Sequence, residues 1–357
     1  MTGRGIDQIL PHPSQPQLFE PYVRSARDYV DLAEAATGPI HRPADFAYVW
    51  GDALAELRRL GPDVRIVNLE SAVTTSDDAW PDKGIHYRMH PANVPCLSAA
   101  GLDCCVLANN HVLDWGYAGL AQTLDCLHQA GIRTAGAGRD AAAAAAPAVV
   151  ELSGGRRVLV FALGTPSAGV PAEWAARADA AGINYLEDLS AAAAEAVLGQ
   201  TAGAKRPGDV VIVSIHWGSN WGYDLSRAQR DFAHRLIDSG TVDLLHGHSS
   251  HHPRGIEVYR DKLILYGCGD FLNDYEGIRG YEWFRPDLCL MYFPTVRADN
   301  GQLKQLTLVP LQIRHLRVIR AQDADARWLE GILTREGKGL GTRVRRQAGN
   351  ELLVEWH

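Results

Sequence analysis

The chain has 357 residues, of which 46% are hydrophobic and 22% charged, so it can bury a full core without staples; a disordered protein or a mini-scaffold is excluded. Lys and Arg number 35 against 42 Asp and Glu, and the net charge of -7 is spread along the chain. There is no basic run of the kind that binds nucleic acid or an anionic membrane.

In chain order, residues 1–45 read as an irregular polar surface segment rich in proline, with one helix over 24–36. A helix over 49–60 is stopped by Gly61-Pro62. Strands are expected at 64–69 and 104–108, then a helix over 117–129 closed by Gly131. Residues 141–150 form an alanine tract interrupted by Pro147, too short to span a bilayer. Gly154-Gly155 reads as a hairpin turn before a strand at 158–163. A helix over 190–198, a strand at 210–215, a helix over 227–238 and a strand at 242–245 follow, and their alternation argues for a layered α/β sheet. The 210–215 run is almost continuously apolar, as in a strand buried on both faces. Beyond Gly255 the rhythm changes to strands at 256–259, 263–266, 288–293, 303–309 and 314–319, read as an appended antiparallel section, with Arg260-Asp261 as a turn. A helix over 324–335 and a short strand pair end the chain. One domain over 1–320 is expected, with 321–357 packed on it.

The six cysteines form no C-x-x-C pair and four sit in apolar runs, so free thiols in a reducing compartment are expected. No segment has the charged start, apolar middle and cleavage site of a signal peptide, so a cytoplasmic protein with no membrane span is expected. A G-x-S-x-G elbow and a complete dinucleotide fingerprint are both missing.

Four polar clusters directly follow strand-like runs: Asn68-Leu69-Glu70, Asn109-Asn110-His111, His216-Trp217-Gly218, and His246-Gly247-His248 with His251 and His252. Ligands of open α/β sheets bind at the carboxyl ends of strands, so four such ends describe one shared site. Imidazole with carboxylate and amide oxygen, and no thiolate, suits a catalytic metal with open positions; more candidate ligands than one tetrahedral ion needs points to a pair. Trp217 and Trp221 flank Gly218 and are candidates to line a pocket.

The motifs N-L-E, A-N-N-H-x-x-D-x-G, a strand ending H-W-G, G-H-x-x-H, G-I-E-V-Y and L-Y-x-x-G-D-F, in this order over residues 65–274, resemble CapA-type poly-γ-glutamate biosynthesis proteins of the calcineurin-like metallophosphatase superfamily. The resemblance implies an α/β fold, a four-layer αββα sandwich of two mixed sheets. It implies two divalent ions (Mn, Fe or Zn, with Ca or Mg as alternatives) at the strand ends. Carried over, Glu70, either Asn109 or Asn110, His216, His248 and His251 hold metal. His111 is the catalytic acid, and Asp114, three residues on, supports it and fixes its tautomer. Asn68, Trp217, His246, His252 and Asp270 are expected to line the substrate pocket; Asp270 stands where the family usually has Asn.

The family opens with a strand ending Gly-Asp, whose Asp is a metal ligand, before a glycine-rich turn. Here Met1-Thr2-Gly3-Arg4-Gly5 looks like that turn without the strand, so a preceding strand, and with it a signal or anchor, is an open expectation. The expected activity is metal-dependent hydrolase chemistry on an amide or phosphoryl group of polyglutamate or another peptide substrate. Stand-alone proteins of this kind also resemble the peptide epimerases of lasso-peptide pathways, with residues 86–99 as part of a peptide-binding wall. A non-catalytic assembly protein with a degenerate site is the third expectation.

Overall fold

The computed structural model describes all 357 residues. Two sheets carry the α/β half. The first is a parallel sheet of three strands, Ile66–Asn68, Cys104–Val106 and Arg133–Ala135, in that order. The second has six strands. Arg157–Gly164, Val210–His216, Leu244–His248 and Lys262–Leu265 run parallel, with Ala148–Glu151 and Ile256–Tyr259 antiparallel at the two edges.

Alternation along the strands sorts the layers. Cys104, Val106 and Ala135 of the first sheet meet Ala148, Val158, Val160 and Ala162 of the second in one apolar cluster. These side chains are small, and the sheets approach closely. A Cβ at Gly136 would stand 2.7 Å from the Cβ atoms of Ala108 and Ala162. The opposite face of the six-stranded sheet, with Phe161, Val211, Val213 and Ile215, packs on helices Ala191–Ala204 and Arg227–Asp238. The outer face of the parallel sheet packs Cys105 and Leu107 against Leu120, Leu124 and Leu127 of helix Gly116–Gln129.

The C-terminal part differs from the sequence reading in two places. The hairpin 256–265, expected in the appended section, joins the six-stranded sheet, because Lys262–Leu265 pairs in parallel with Leu244–His248. The strand expected at 314–319 is broken: Leu303–Arg314 turns back through His315 and Leu316, both with left-handed φ (58° and 54°), into Arg317–Arg320. The five-stranded antiparallel sheet contains these two with Leu288–Val296, Thr342–Arg346 and Leu352–Trp356, and helix Asp323–Gly337 packs on it. The Arg260-Asp261 turn is as expected, with both residues at positive φ. All six cysteines are free thiols. No helix is long and apolar enough to cross a membrane.

The N-terminal segment is the largest correction. Residues 2–7 are buried, where a surface segment was expected. Gly3 lies against the backbone of Arg88, and Gly5 against Tyr29 and Asp274; a Cβ at either would sit within 3.0 Å of them. Between the two glycines, the guanidinium of Arg4 bonds both oxygens of Asp274 (2.9 and 2.5 Å) and Oε1 of Glu20 (2.8 Å), and lies over the Tyr29 ring at 3.6 Å. All three charged groups are nearly inaccessible to water. Removing the cation alone would strand two buried carboxylates, a cost of about 3–5 kcal/mol. Arg4→Met is therefore expected to lower unfolding stability by about that amount, while Arg4→Met with Glu20→Gln and Asp274→Asn recovers much of it; urea denaturation of the three proteins checks this.

Candidate active site

The site lies where strands of the two sheets end side by side. On Val210–His216, the residues facing the first sheet alternate: Val210, Ile212, Ser214, His216. Register sets Ser214 beside His246 and His216 beside His248 on the neighbouring strand. From across the inter-sheet contact, Asn110 brings its Oδ1 to 3.1 Å from His216 Nε2. The Glu70 Oε1 atom stands 3.9 Å from the same nitrogen.

These contacts form a chain with one allowed direction. The Asn110 carbonyl only accepts, so His216 Nε2 donates to it and His216 Nδ1 accepts. His248 Nδ1, 2.8 Å away, must then donate, which leaves His248 Nε2 to accept from Ser214 Oγ at 2.9 Å. The hydroxyl has one proton, so His246 Nδ1, also at 2.9 Å, donates to Ser214. Burial holds the three imidazoles neutral: His216 is pushed down to about 3, His246 to about 4, and His248, beside His216 and His246 whose charges would also oppose its own, well below the ordinary histidine range.

His111 follows Asn110 in the loop beyond strand Cys104–Val106. Its Nδ1 lies 2.7 Å from Asp114 Oδ2, and its ring stacks on Tyr87 at 4.0 Å. Asp114 also accepts from the Tyr87 amide (2.7 Å) and pairs with Lys83 Nζ (2.9 Å). Burial favours neutral His111 and outweighs the pull of Asp114, so its pKa lies below the usual value. Burial pushes Asp114 the other way, but His111 and Lys83 outweigh it and keep the carboxylate ionised. His111 thus presents Nε2, with Nδ1–H held by Asp114.

The two asparagines, indistinguishable in sequence, part ways. Asn109 is fully spent: its amide donates to Asn68 Oδ1 and Leu69 O and accepts from the His111 backbone N–H. Asn68 passes the contact on, donating to Glu70 Oε2 at 3.0 Å, so it orients the carboxylate. His251 pairs with Asp270 at 3.0 Å; burial opposes its protonation, but the carboxylate prevails and raises its pKa, while His251 holds Asp270 low against the effect of burial. Beside His251, Trp221 stacks on Tyr281 at 3.9 Å and forms an aromatic rim.

Two residues expected to line the pocket do not reach it. Trp217 is 1% exposed, donates to Tyr266 O and stacks on that ring inside the core. His252 is fully buried and stacked on Phe284. Residues 86–89, expected in a peptide-binding wall, are interior; Arg88–Met89 pairs with Ala72–Val73. Lys83 and Ser214 were missed, and Tyr87 was expected only as part of the 86–99 wall. Ser214 had a signal: it is a lone hydroxyl in an apolar run, two residues before His216 and so on the same face.

The donors suit one hard-to-borderline divalent ion held by Glu70, Asn110 and His216: a carboxylate, an amide oxygen and a neutral imidazole. No three His, Cys, Asp or Glu side chains converge on one point.

Buried His252, pushed down to about 4 chiefly by desolvation, must take up a proton on unfolding. Its folded pKa lies below its unfolded one, so its contribution is full above about pH 6.5 and fades as pH falls towards 4. Between pH 7 and pH 5 this one group costs about 2 kcal/mol. His252→Phe keeps the stack on Phe284 and is expected to lose about 2 kcal/mol less than the parent over that interval, measured by urea denaturation at both pH values.

The sequence profile of the family described as "Bacterial capsule synthesis protein PGA_cap" matches residues 1–275. A probable polyglutamine synthesis accessory protein of Mycobacterium tuberculosis (strain CDC 1551 / Oshkosh) is 48% identical over 355 residues, 99% of this chain and 93% of that protein. The capsule biosynthesis protein CapA of Bacillus anthracis is 28% identical over 237 residues, 65% of this chain and 53% of its own length. The PGA biosynthesis protein CapA of Bacillus subtilis (strain 168) is 28% identical over 208 residues, 58% and 52% respectively. With three-quarters of its length under the family profile and motifs that meet at one set of strand ends, the chain belongs to the CapA-type bacterial capsule synthesis family.

Proposed function

We propose that this chain is a metal-dependent accessory enzyme of γ-linked polyglutamate synthesis, built as a four-layer metallophosphatase-like sandwich and cleaving an amide or phosphoryl bond. The observation that carries the reading is the meeting of Asn110, Glu70 and His216 from two sheets, within one site with the His111–Asp114 pair. The mycobacterial relative is named for polyglutamine synthesis and the Bacillus subtilis one for PGA biosynthesis, which supports a poly-amino-acid substrate.

Held by Glu70, Asn110 and His216, a divalent ion would polarise the scissile carbonyl or phosphoryl oxygen and acidify water. His111 does the proton work. Neutral at pH 7 because it is buried, its Nε2 takes a proton from the attacking water and returns it to the leaving nitrogen or oxygen. Over the reaction one water O–H and the scissile bond break, and one C–O or P–O bond and one N–H or O–H bond form. Asp114 fixes the tautomer and Lys83 keeps Asp114 charged. Asn68 holds Glu70 in place. The absence of a three-membered His, Cys, Asp or Glu group favours one other reading, an accessory protein without catalysis.

With γ-linked glutamate oligomers as substrate, release of new amino ends is expected to stop on chelation. His111→Gln should lower kcat by about 100- to 10,000-fold with the melting temperature unchanged. Glu70→Gln should lose bound metal in elemental analysis. Cleavage that survives both chelation and His111→Gln would sink the proposal. Solvent deuterium entering the peptide without cleavage would move the assignment to an epimerase. Function that is intact under chelation, with no cleavage at all, would move it to the non-catalytic reading.

A further inference from the structure

Two phenol hydroxyls, those of Tyr87 and Tyr275, meet at 2.8 Å beside the site. The Tyr87 ring lies on His111 at 4.0 Å, and the Tyr275 ring meets His251 edge to face at 5.2 Å. The pair therefore bridges the His111 side of the site to the His251 side. Each ring is fixed through its own backbone. The Tyr87 amide donates to Asp114 Oδ2, the atom that also holds His111 Nδ1. The Tyr275 amide donates to Asn273 Oδ1, and Asn273 Nδ2 donates to Asp270 Oδ2 at 2.7 Å, on the carboxylate that pairs with His251.

Proton counting leaves a surplus. Two hydroxyls carry two protons, and the bond between them uses one. Neither oxygen has a further protein partner. Behind the rings every acceptor is taken. The Arg4 guanidinium lies 5.0 Å from the Tyr87 ring centre and 5.7 Å from that of Tyr275. Glu20 accepts from Arg4 and the Tyr29 hydroxyl, and Asp274 from Arg4 and the Gly5 amide. The open side is the one shared with His111 and His251. Burial pushes both phenols above the ordinary tyrosine range; Glu70 adds to this for Tyr87 and Asp270 for Tyr275, and Arg4 opposes it without reversing it. Both hydroxyls stay protonated at neutral pH, so they serve as donors and not as bases. A donor held in place before the ligand arrives stabilises growing negative charge without reorganising, and losing one such donor costs about 100- to 1,000-fold in kcat.

We propose that the Tyr87–Tyr275 pair is a catalytic hydrogen-bond donor, whose unbonded O–H donates to the substrate oxygen that gains negative charge as the amide or phosphoryl bond is attacked. This rests on the hydrolytic reading of the site. The second hydroxyl supports the first, since a hydroxyl that accepts a hydrogen bond donates a stronger one.

The test takes two readouts on the full chain, loaded with the divalent ion that best supports turnover, or with manganese if none does. One is turnover of γ-linked glutamate oligomers; the other is the affinity for inorganic phosphate by calorimetry. Tyr87→Phe and Tyr275→Phe each leave a single hydroxyl and keep the ring. The variant that removes the ligand-facing hydroxyl is expected to lose about 100-fold in kcat, with KM within about threefold of the parent. It should bind phosphate about tenfold more weakly. The other variant keeps the donor and is expected to lose less than about tenfold in kcat. If Phe at buried position 87 prevents folding, 3-fluorotyrosine there keeps the packing and makes the hydroxyl a stronger donor; phosphate affinity must then rise, and an unchanged affinity overturns the proposal. Both Phe variants within about threefold of the parent in kcat and phosphate affinity overturn it too, as does a loss confined to KM. Turnover that needs the metal and His111 but is unmoved by either tyrosine fails this proposal alone. An inert parent whose phosphate binding one variant weakens fails the hydrolytic reading, while the donor to a ligand oxygen stands. An inert parent that binds no phosphate fails both.

Discussion

The close approach of two sheets through small side chains is the constraint on which the site depends. Ala108, Ala135, Ala148 and Ala162 leave so little space between the layers that Gly136 has no room for a Cβ. Only at that spacing can Asn110, at the end of one sheet, reach His216, 106 residues later at the end of the other. Larger side chains at the contact would fill it with apolar area and separate the strand ends, leaving the carboxylate and amide on one side and the imidazoles on the other.

The strands of the α/β half were legible because they announce themselves locally. Val210–His216 is a continuous apolar run that ends in His, and Cys104–Val106 is followed at once by the Asn-Asn-His cluster. The N-terminal segment was not legible, because what makes Gly3-Arg4-Gly5 interior is a set of partners some 270 residues away. A buried arginine between two glycines looks like a solvated turn until Asp274 and Glu20 are placed beside it. The strand expected over 314–319 failed for a different reason: β propensity continues through His315-Leu316, and only the left-handed backbone there shows the turn.

Within the site the same division holds. Spacing identified which strand ends carry polar groups but not what each side chain does there. Asn109 and Asn110 differ only in where they point, and Trp217, the residue after the site-facing His216, turns the other way into the core. His251 is half of an ion pair with Asp270, 19 residues further on, and spacing alone does not show that partner. Lys83 lies in a loop with no motif of its own, yet it sets the charge of Asp114.

The one-way run of donors from His246 through Ser214, His248 and His216 to Asn110 has a consequence for how the site responds to a cation. A ligand that takes the lone pair of His216 Nε2 must displace the proton now pointing at Asn110. Every member upstream then changes role: His216 Nδ1 becomes a donor, His248 swaps its two nitrogens, Ser214 turns its hydroxyl towards His246, and His246 picks up a proton on its far side. The five groups form a single two-position element, polarised one way when Asn110 is the terminus and the other way when an electrophile is. His246, which lines a cavity, carries the far end of that polarity, so a binding event on one side of the inter-sheet seam is felt as a change of His246 tautomer on the other.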